Sequence, residues 1–301
     1  MKIGVQTAPI LDRWGIEEGF RMISEAGFDC VDFNIDHALP GGAIARGERT
    51  EFCEKTDEEM IEFIRPYKEA AAKYGVSFNQ MHAPFPFYVK NEFGNDYVMR
   101  AVRKCIMIAG YLDCPYVIVH PAFLGYDDQL SPEEEWKINI ERYTALIEDC
   151  KKYHVTVCLE NMFTGHNGRI VQAICSDMAE AARYIDALNE IAGEKCFAFC
   201  LDIGHLALLG RNMYTSICQI GKYIETLHIH DNNGMSDQHL FPYMGIIDWN
   251  AFCRGLKEVG YKGALSFETF NALNVFDREL HADALKLLGA TAHMFARRIE
   301  A

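Results

Sequence analysis

Twelve residues of the sequence, 228–239, contain five side chains of the types that most often bind metals. The segment reads HIHDNNGMSDQH, with three histidines and two aspartates, and it directly follows the apolar run YIETL. Imidazole nitrogens and carboxylate oxygens are common ligands of zinc and other divalent ions. A buried strand that opens into such a loop predicts a metal-binding or catalytic site.

Four ionisable residues each end an apolar run of the kind that forms a buried strand. The runs are TVCLE, AFCLD, IETLH and ALSFE, and their last residues are Glu160, Asp202, His228 and Glu268. A charged group in such a place is costly unless it is paired or binds a metal. One of them alone could be a polar residue bonded to a backbone amide or a basic side chain. All four together, with few lysines or arginines at neighbouring strand ends, predict a site for a divalent metal.

Three further histidines lie at or near the ends of predicted strands. His82 in MHAPF and His120 in VIVHPA each lie close before a proline, which ends a strand and holds an imidazole at its rim. Each could bind substrate, add a metal ligand, or be an ordinary hydrogen-bonded histidine. His205 follows Asp202 by three residues, and Gly204 between them is expected to allow a sharp backbone turn.

The remaining candidates lie within the segment 228–239. His230 shares the inward face of its strand with His228, because side chains alternate along a strand, and we expect it to contact substrate rather than the metal. Asp237 and His239 form a D-x-H pair that could join His205 in a second metal position. A turn beside a surface imidazole is the alternative interpretation of this pair.

The elements that would position these residues alternate between short apolar runs and longer runs of helical period. This alternation is typical of βα units around a parallel sheet. Helices are predicted at 56–75, with Thr56 as the N-cap, and at 131–153, which begins with Ser131 and Pro132. Eight strands are predicted, at residues 3–8, 30–35, 77–83, 116–122, 156–161, 197–205, 226–231 and 264–270.

Eight such units without a linker favour one α/β domain over residues 1–301, a single (β/α)8 TIM barrel. A doubly wound open sheet is the alternative, but no GxGxxG motif follows the first strand. In a closed barrel the carboxyl ends of all strands converge on one face, where such barrels build their active sites. The candidate residues are therefore expected to meet at that face.

Composition restricts the partners that this chain can have. The chain has 301 residues, 50% of them hydrophobic, and a formal net charge of −14. Nucleic acids and anionic membranes bind basic surfaces, so neither is an expected partner. No apolar run approaches the roughly 20 residues that span a bilayer, and the first residues lack a signal-peptide pattern, so a cytoplasmic location is expected. The 11 cysteines include no CxxC pair, which argues against a disulfide framework.

The order of these motifs resembles the xylose isomerase-like TIM-barrel superfamily, which includes sugar-phosphate isomerases and epimerases, ketose 3-epimerases and endonuclease IV. The resemblance extends from about the third predicted strand to the eighth. It is carried by the order of HAP, HP, LENM, CLDIGH, HIHDNNG, DQH, PYMGIIDW and FETF rather than by any one of them.

Resemblance to the ketose 3-epimerase branch implies one Mn²⁺-like ion bound by Glu160, Asp202, His228 and Glu268. The two glutamates would also transfer the proton on either side of a sugar carbon. That branch usually has a second glutamate six residues after the first and an arginine six residues after the histidine. This chain has His166 and Gly234 at those places.

Resemblance to the endonuclease IV branch implies nine ligands for three zinc ions, which map onto His82, His120, Glu160, Asp202, His205, His228, Asp237, His239 and Glu268. The chain has all nine residue types, although the loop with Asp237 and His239 is shorter than in that branch. The loops HAPFPFYVKNEFGND and HPAFLGYDDQLSPEEE are acidic and aromatic rather than basic, which argues against DNA as the substrate.

From these residues and this resemblance we expect an enzyme of carbohydrate metabolism. It would be a metal-dependent isomerase or epimerase of a small sugar, sugar phosphate or polyol derivative, acting through an enediolate. Mn²⁺ or Zn²⁺ is the expected metal, with Mg²⁺ or Co²⁺ as alternatives, and the chain is free to form a homo-oligomer. Glu160 and Glu268 are the expected catalytic residues, and the expected substrate-binding residues are His82, His120, His205 and His230.

Three alternatives remain open from the sequence. One is a zinc-dependent phosphodiesterase of the endonuclease IV kind, and another is a keto-polyol dehydratase that uses the same residues. A third is a barrel that only binds a sugar or a partner, although such a protein would have no use for buried acids.

Overall fold

The computed structural model describes residues 1–90 and 92–301. In these residues the strands are β1 (Ile3–Gln6), β2 (Cys30–Phe33), β3 (Ser77–His82), β4 (Tyr116–Ile118), β5 (Thr156–Glu160), β6 (Phe163–His166), β7 (Arg169–Gln172), β8 (Phe197–Asp202), β9 (Ile224–His228) and β10 (Leu265–Phe267). The α-helices are α1 (Ile10–Trp14), α2 (Ile16–Glu25), α3 (Gly41–Ala45), α4 (Glu51–Glu54), α5 (Asp57–Lys73), α6 (Glu92–Tyr111), α7 (Pro132–Thr144), α8 (Ile147–Tyr153), α9 (Met178–Ala192), α10 (Ile203–Leu208), α11 (Met213–Ile220), α12 (Trp249–Glu258) and α13 (His281–Glu300).

Eight of the strands form one sheet, in the order β10-β1-β2-β3-β4-β5-β8-β9. The two ends of this order are joined just beyond β9. The N–H of Ile229 donates to the carbonyl of Ser266 at 2.9 Å, and the N–H of Glu268 donates to the carbonyl of Ile229 at 3.0 Å. The sheet with its flanking helices is therefore the predicted (β/α)8 TIM barrel.

The chain divides into two compact units, with boundaries at the end of β2 and inside α5, β3 and β8. The first unit comprises residues 1–33, 67–79 and 200–301, and the second comprises residues 34–66 and 80–199. The expectation that residues 1–301 form one domain stays a prediction.

A cluster of aromatic side chains lies in the core of the first unit. Phe252 and Phe295 are fully buried, and Trp249 stacks on Phe295 with ring centroids 5.0 Å apart. These residues come from α12 and α13, whose apolar positions recur with helical spacing and face β10, where Phe267 also lies against Phe295. This packing supports β10, which Glu268 directly follows.

Polar side chains of helix α7 stabilise the core of the second unit. The hydroxyl of Tyr143, which is fully buried, donates to the carbonyl of Val119 at 2.7 Å. The amide of Asn139 bonds both the N–H and the carbonyl of Ala122 at 2.7 Å. The segment that follows β4 is thus fixed to α7, which satisfies backbone groups that no strand pairs.

The helix N-termini agree with the capping signals in the sequence. Thr56 accepts a hydrogen bond from the N–H of Glu59, whose carboxylate in turn accepts one from the N–H of Thr56. Ser131 and Glu134 form the same reciprocal arrangement at the start of α7. Both are capping boxes.

All eight predicted barrel strands extend one to four residues beyond the observed carboxyl ends. The strand expected at 197–205 ends at Asp202, because the carboxylate of that residue caps helix α10. The helix expected at 131–153 is two helices, with a break at Ala145 and Leu146. The antiparallel hairpin of β6 and β7 lies in a segment where no strand was expected. No helix in residues 1–90 or 92–301 is long and apolar enough to cross a membrane.

Candidate metal centre and active site

Seven of the ten candidate residues lie together in the first unit, at or just beyond the carboxyl ends of β8, β9 and β10. We call them the histidine–carboxylate cluster: Asp202, His205, His228, His230, Asp237, His239 and Glu268. All but Asp237 are less than 9% exposed. Burial of four imidazoles and three carboxylates in one place requires that they bond to one another or to a cation.

At the centre of this cluster, His228 lies between two of the other three residues predicted to bind the central metal. Its Nδ1 is 3.5 Å from Oε2 of Glu268 and 3.8 Å from Oδ2 of Asp202. Ligand atoms about 2.1 Å from a zinc ion in tetrahedral geometry are separated by about 3.4 Å. The spacing and the mixture of one nitrogen with two carboxylate oxygens therefore fit a divalent cation.

The two carboxylate oxygens of Asp202 have different roles. Oδ1 accepts a hydrogen bond from the backbone N–H of His205 at 2.7 Å, which caps helix α10. Oδ2 faces three imidazoles, at 3.1 Å from Nε2 of His230 and 3.8 Å from both Nε2 of His205 and Nδ1 of His228. The cap holds this carboxylate in one orientation.

Asp237 and His239 form the outer part of the cluster. Nε2 of His239 is 2.9 Å from Oδ2 of Asp237, and its Nδ1 is 3.0 Å from the carbonyl of Glu268. The His239 ring is stacked between those of His230 and Phe270, with centroid distances of 4.0 and 4.1 Å. Both residues of the D-x-H pair therefore belong to the cluster, rather than to a separate surface turn.

The charges of this outer group shift the pKa values of His239 and Asp237 in opposite directions. Burial alone would lower the pKa of His239, but the carboxylates of Glu268 and Asp237 raise that pKa to about 9. Burial would raise the pKa of Asp237, but the imidazoles of His205 and His239 hold it well below its usual value. Without a metal, the pair is therefore an imidazolium and a carboxylate at neutral pH.

Gly204 is required by the packing of His230 rather than by a sharp turn. Its backbone is helical, as the first turn of α10, and a Cβ at this position would lie 1.9 Å from Cε1 of His230. The expectation that Gly204 permits an unusual backbone conformation is wrong. The glycine instead allows the imidazole of His230 to lie directly against α10, within reach of Asp202.

Asp231, the aspartate of the HIHD sequence, fixes the loop beyond β9. Its carboxylate accepts hydrogen bonds from the backbone N–H groups of Tyr243 and Ile247 at 3.1 and 3.2 Å, and from Nε1 of Trp249 at 3.3 Å. The amide of Asn232 donates to the carbonyl of Gly204 at 2.9 Å. The DN pair thus holds the loop that carries Asp237 and His239.

Two residues that support the cluster were not identified from the sequence. Gln6 on β1 donates from Nε2 to Oε1 of Glu268 at 2.9 Å. Asp32 on β2 has Oδ2 3.4 Å from Nε2 of His228. The only sequence signal for either is a polar residue within a short, otherwise apolar strand, in GVQ and VDF.

The other three candidates lie in the second unit, where they are close to one another. Nε2 of His120 is 3.1 Å from Oε2 of Glu160, and the rings of His82 and His120 are 6.0 Å apart. One ligand atom from each residue lies within 4.8 Å of the others, which is close enough for one cation. Phe85 packs its ring edge-on to His120 at 5.1 Å.

The two positions that depart from the ketose 3-epimerase pattern have clear structural settings. His166 ends β6, and its ring is 3.7 Å from that of Tyr126. Gly234 has φ +75° and donates from its N–H to Oδ1 of Asn232 at 2.9 Å. An arginine at position 234 would have to adopt a left-handed backbone conformation, which is unfavourable for residues with a Cβ.

A separate cavity of about 370 Å³ lies within the second unit, beside α7 and the β6–β7 hairpin. Phe123 and Tyr126 contribute aromatic walls, and Thr164 contributes a hydroxyl. Burial, assisted by the charge of Glu180, raises the pKa of Glu135 to about 7. Burial also raises the pKa of Glu180. This cavity contains none of the ten candidate residues.

Comparisons with known proteins agree with this fold. A family model described as xylose isomerase-like TIM barrel matches residues 20–291. An uncharacterised protein of Methanocaldococcus jannaschii is 29% identical over 225 residues, which cover 73% of each chain. The inosose isomerase of Bacillus velezensis is 22% identical over 279 residues, which cover 90% of this chain and 89% of that protein.

Two solved structures are also similar over nearly the whole chain. A D-tagatose 3-epimerase-like protein has a TM-score of 0.73 and 22% identity, with complete coverage of both chains. The IolI protein, solved with a bound zinc atom, has a TM-score of 0.70 and 20% identity, covering 99% of this chain and 98% of its own. At these identities the likeness demonstrates a shared fold.

Proposed function

This chain belongs to the xylose isomerase-like TIM-barrel family, and from that premise we propose that it is a metal-dependent isomerase or epimerase of a small sugar or polyol. The observation that carries the proposal is a set of three buried side chains, Asp202, His228 and Glu268. Nδ1 of His228 lies 3.5 Å from the carboxylate of Glu268 and 3.8 Å from that of Asp202. A barrel that only binds a partner has no need of such a set, because uncompensated buried charges destabilise it.

The proposed ion is divalent, with Zn²⁺ or Mn²⁺ favoured over Mg²⁺ or Co²⁺. Asp202, His228 and Glu268 would hold it, and the sequence adds Glu160 as a fourth ligand. A mixed nitrogen and oxygen set suits Zn²⁺ and Mn²⁺, whereas Mg²⁺ prefers oxygen ligands alone. When bound, such an ion would supply Lewis-acid chemistry to a carbonyl of the substrate. The zinc atom in the IolI structure supports this assignment.

The side chains of the cluster would move the proton and orient the substrate. Glu268 is held at Oε1 by the amide of Gln6, so its Oε2 has a fixed direction, which proton transfer at a substrate carbon requires. We propose Glu160 as the second catalytic glutamate, on the opposite side of that carbon, with an enediolate between the two transfers. His205 and His230 would donate hydrogen bonds to substrate hydroxyls.

A neutral substrate fits the cluster better than a phosphorylated one. The cluster as described consists of imidazoles and carboxylates and contains no lysine or arginine, although a phosphate group is normally bound by such side chains. The names of the similar proteins, inosose isomerase and D-tagatose 3-epimerase-like protein, contain no phosphate either. We therefore favour a free sugar or polyol over a sugar phosphate.

The test is solvent exchange at the substrate carbon, because removal and return of a proton leave a trace even when the equilibrium is unfavourable. Purified protein of measured metal content is incubated in D₂O with a panel of ketoses and inososes, and deuterium incorporation beside the carbonyl is followed by NMR. Wild-type protein should label at least one substrate, and Glu268→Gln should label it at a rate lower by about 100-fold or more. Absence of both bound metal and exchange across the panel would contradict the proposal.

A zinc phosphodiesterase of the endonuclease IV kind is the second candidate, and the outer group of the cluster favours it. His205, His230, Asp237 and His239 provide more ligands than one ion needs. The net charge of −14 opposes a DNA substrate. Incision of abasic duplex at physiological salt would favour this candidate, whereas loss of water from a keto-polyol would identify the third, a dehydratase.

A further inference from the structure

Two buried polar side chains on neighbouring strands each contact a different proposed ligand of the metal. Gln6 and Asp32 lie opposite each other in the parallel pairing of β1 and β2, and they are 3% and 0% exposed. Gln6 bonds Glu268, and Asp32 lies beside His228. No resemblance or comparison assigned a role to Asp32, which lies far from the metal-binding motifs in the sequence.

The two nitrogens of the His228 ring face different surroundings. Nδ1 faces Glu268 and Asp202, at 3.5 and 3.8 Å, and Nε2 faces Oδ2 of Asp32 at 3.4 Å. A neutral imidazole binds a metal through one nitrogen and carries its proton on the other. The acid on the proton-bearing side therefore determines which nitrogen is free to bind.

We propose that Asp32 is a positioning residue that keeps the proton of His228 on Nε2 and thereby directs Nδ1 to the metal. The inference rests on the proposed metal site. A carboxylate beside Nε2–H also makes Nδ1 a more basic ligand, as acceptors behind metal-binding histidines generally do. The paired strands thus place a second layer behind the ligands, with Gln6 orienting Glu268 and Asp32 orienting His228.

Asparagine at position 32 is the sharpest substitution because it has nearly the shape of aspartate. Asp32→Asn removes the charge and offers an amide N–H₂ group that can face Nε2. A donor in that place favours the tautomer with the proton on Nδ1, the opposite of the one that the metal requires. The variant should therefore weaken metal binding while the core remains filled.

The experiment measures zinc affinity and the state of the His228 ring, so it does not depend on turnover. Metal-free protein is titrated with Zn²⁺ against a chromophoric chelator, and Asp32→Asn should bind about 10- to 100-fold more weakly than wild type. In zinc-loaded protein with ¹⁵N-labelled histidine, the His228 signals are assigned from the spectrum of His228→Ala. They should show a metal-bound Nδ1 and a protonated Nε2.

Ser266→Ala provides a matched control in the same sheet. Ser266 is 1% exposed on β10, and its hydroxyl makes no hydrogen bond to the residues that the structure describes. This variant should retain wild-type zinc affinity and the wild-type spectrum of His228. If it weakened zinc binding as much as Asp32→Asn does, any buried polar change would have that effect, and Asp32 would have no special role.

Several results would overturn the inference, and they differ from those that test the proposed function. Equal zinc affinity of wild type and Asp32→Asn would refute it, as would a wild-type spectrum with Nε2 on the metal and the proton on Nδ1. The spectrum needs only wild type and His228→Ala, so it decides the question even if Asp32→Asn does not fold. A wild-type chain that binds no zinc at all would instead refute the metal site itself, and Asp32 with it.

Discussion

Replacement of Glu135 by glutamine should stabilise the protein at alkaline pH and have little effect at acidic pH. Burial raises the pKa of this carboxyl from 4.5 to about 7. The folded protein therefore holds a proton that the unfolded chain has lost between those values, so stability decreases as the pH rises through that window. Above pH 7 the carboxyl of Glu135 is ionised in the folded protein, and its burial then lowers the free energy of unfolding by the full amount. Glu135→Gln removes this loss of stability.

The size of the effect follows from the two pKa values. Their difference, about 7 minus 4.5, corresponds to roughly 3 kcal/mol at 1.36 kcal/mol for each pKa unit. The cavity of about 370 Å³ beside Glu135 admits water, which reduces the cost to about 1–2 kcal/mol. The midpoint of thermal unfolding should therefore rise by about 2–4 °C at pH 8 and by less than 1 °C at pH 5.

Differential scanning fluorimetry of wild type and variant at several pH values between 5 and 8 is a sufficient assay. Glu133→Gln, on the same helix at an exposed position, is the control and should change the midpoint by the same small amount at every pH. The reasoning would be refuted if Glu135→Gln gave no gain at pH 8, or an equal gain at pH 5 and pH 8.

Four further predictions concern the histidine–carboxylate cluster. His228→Ala should abolish both metal binding and activity, while His230→Ala should keep the metal and lower turnover; the reverse result in a metal titration would exchange their roles. Gly204→Ala should displace His230 and destabilise the protein by about 1–3 kcal/mol, measured by urea denaturation, because the new methyl group overlaps the imidazole. In metal-free protein, the raised pKa of His239 should contribute stability that is fully present below pH 6.5 and lost as the pH rises through about 9. The free energy of unfolding should fall by up to about 3 kcal/mol over this range, and His239→Gln should not show this fall. Chelation should lower the unfolding midpoint of metal-loaded wild type, and the same chelator should leave His228→Ala unchanged.

The barrel and most of its site could be predicted because the deciding signals are local. Apolar runs alternate with helical periods, and the polar residue that ends each run also marks where the strand opens into a loop. Asp202 and His228 are the last residues of their strands, as the runs AFCLD and IETLH indicate, although the predicted strand bounds extend three residues further in both cases. The ends of several parallel strands meet at one face, so positions in sequence were enough to predict that Asp202, His228 and Glu268 lie together.

Some predicted boundaries are wrong because sequence signals for different structures compete there. The predicted strand continues through Ile203, Gly204 and His205, but the carboxylate of Asp202 caps a helix that begins at Ile203. The hairpin of β6 and β7 was predictable, since Asn167 and Gly168, with φ of 49° and 71°, are a typical pair for a tight turn between antiparallel strands. No glycine or proline in the sequence indicates the break between α7 and α8 after Thr144.

Gln6 and Asp32 could not be assigned from the sequence for a different reason. Each is one polar residue in a four-residue strand, and nothing near it in the chain indicates which side chain it will contact. Their partners are 262 residues away for Gln6 and nearly 200 for Asp32. The pairing depends on strand register, which only the folded sheet determines.

Because Asp202 has two roles, one substitution at this position would disturb several parts of the candidate site. The oxygen that caps α10 and the oxygen that faces three imidazoles belong to one side chain, so a change at position 202 also affects the start of the helix. That helix carries His205 and the glycine against which His230 rests. An alanine here would combine the loss of a proposed metal ligand with the loss of a helix cap, about 1 kcal/mol, and would displace its neighbours. Asparagine retains an oxygen for the cap, so only Asp202→Asn can separate the effect of the charge from the collapse of its surroundings.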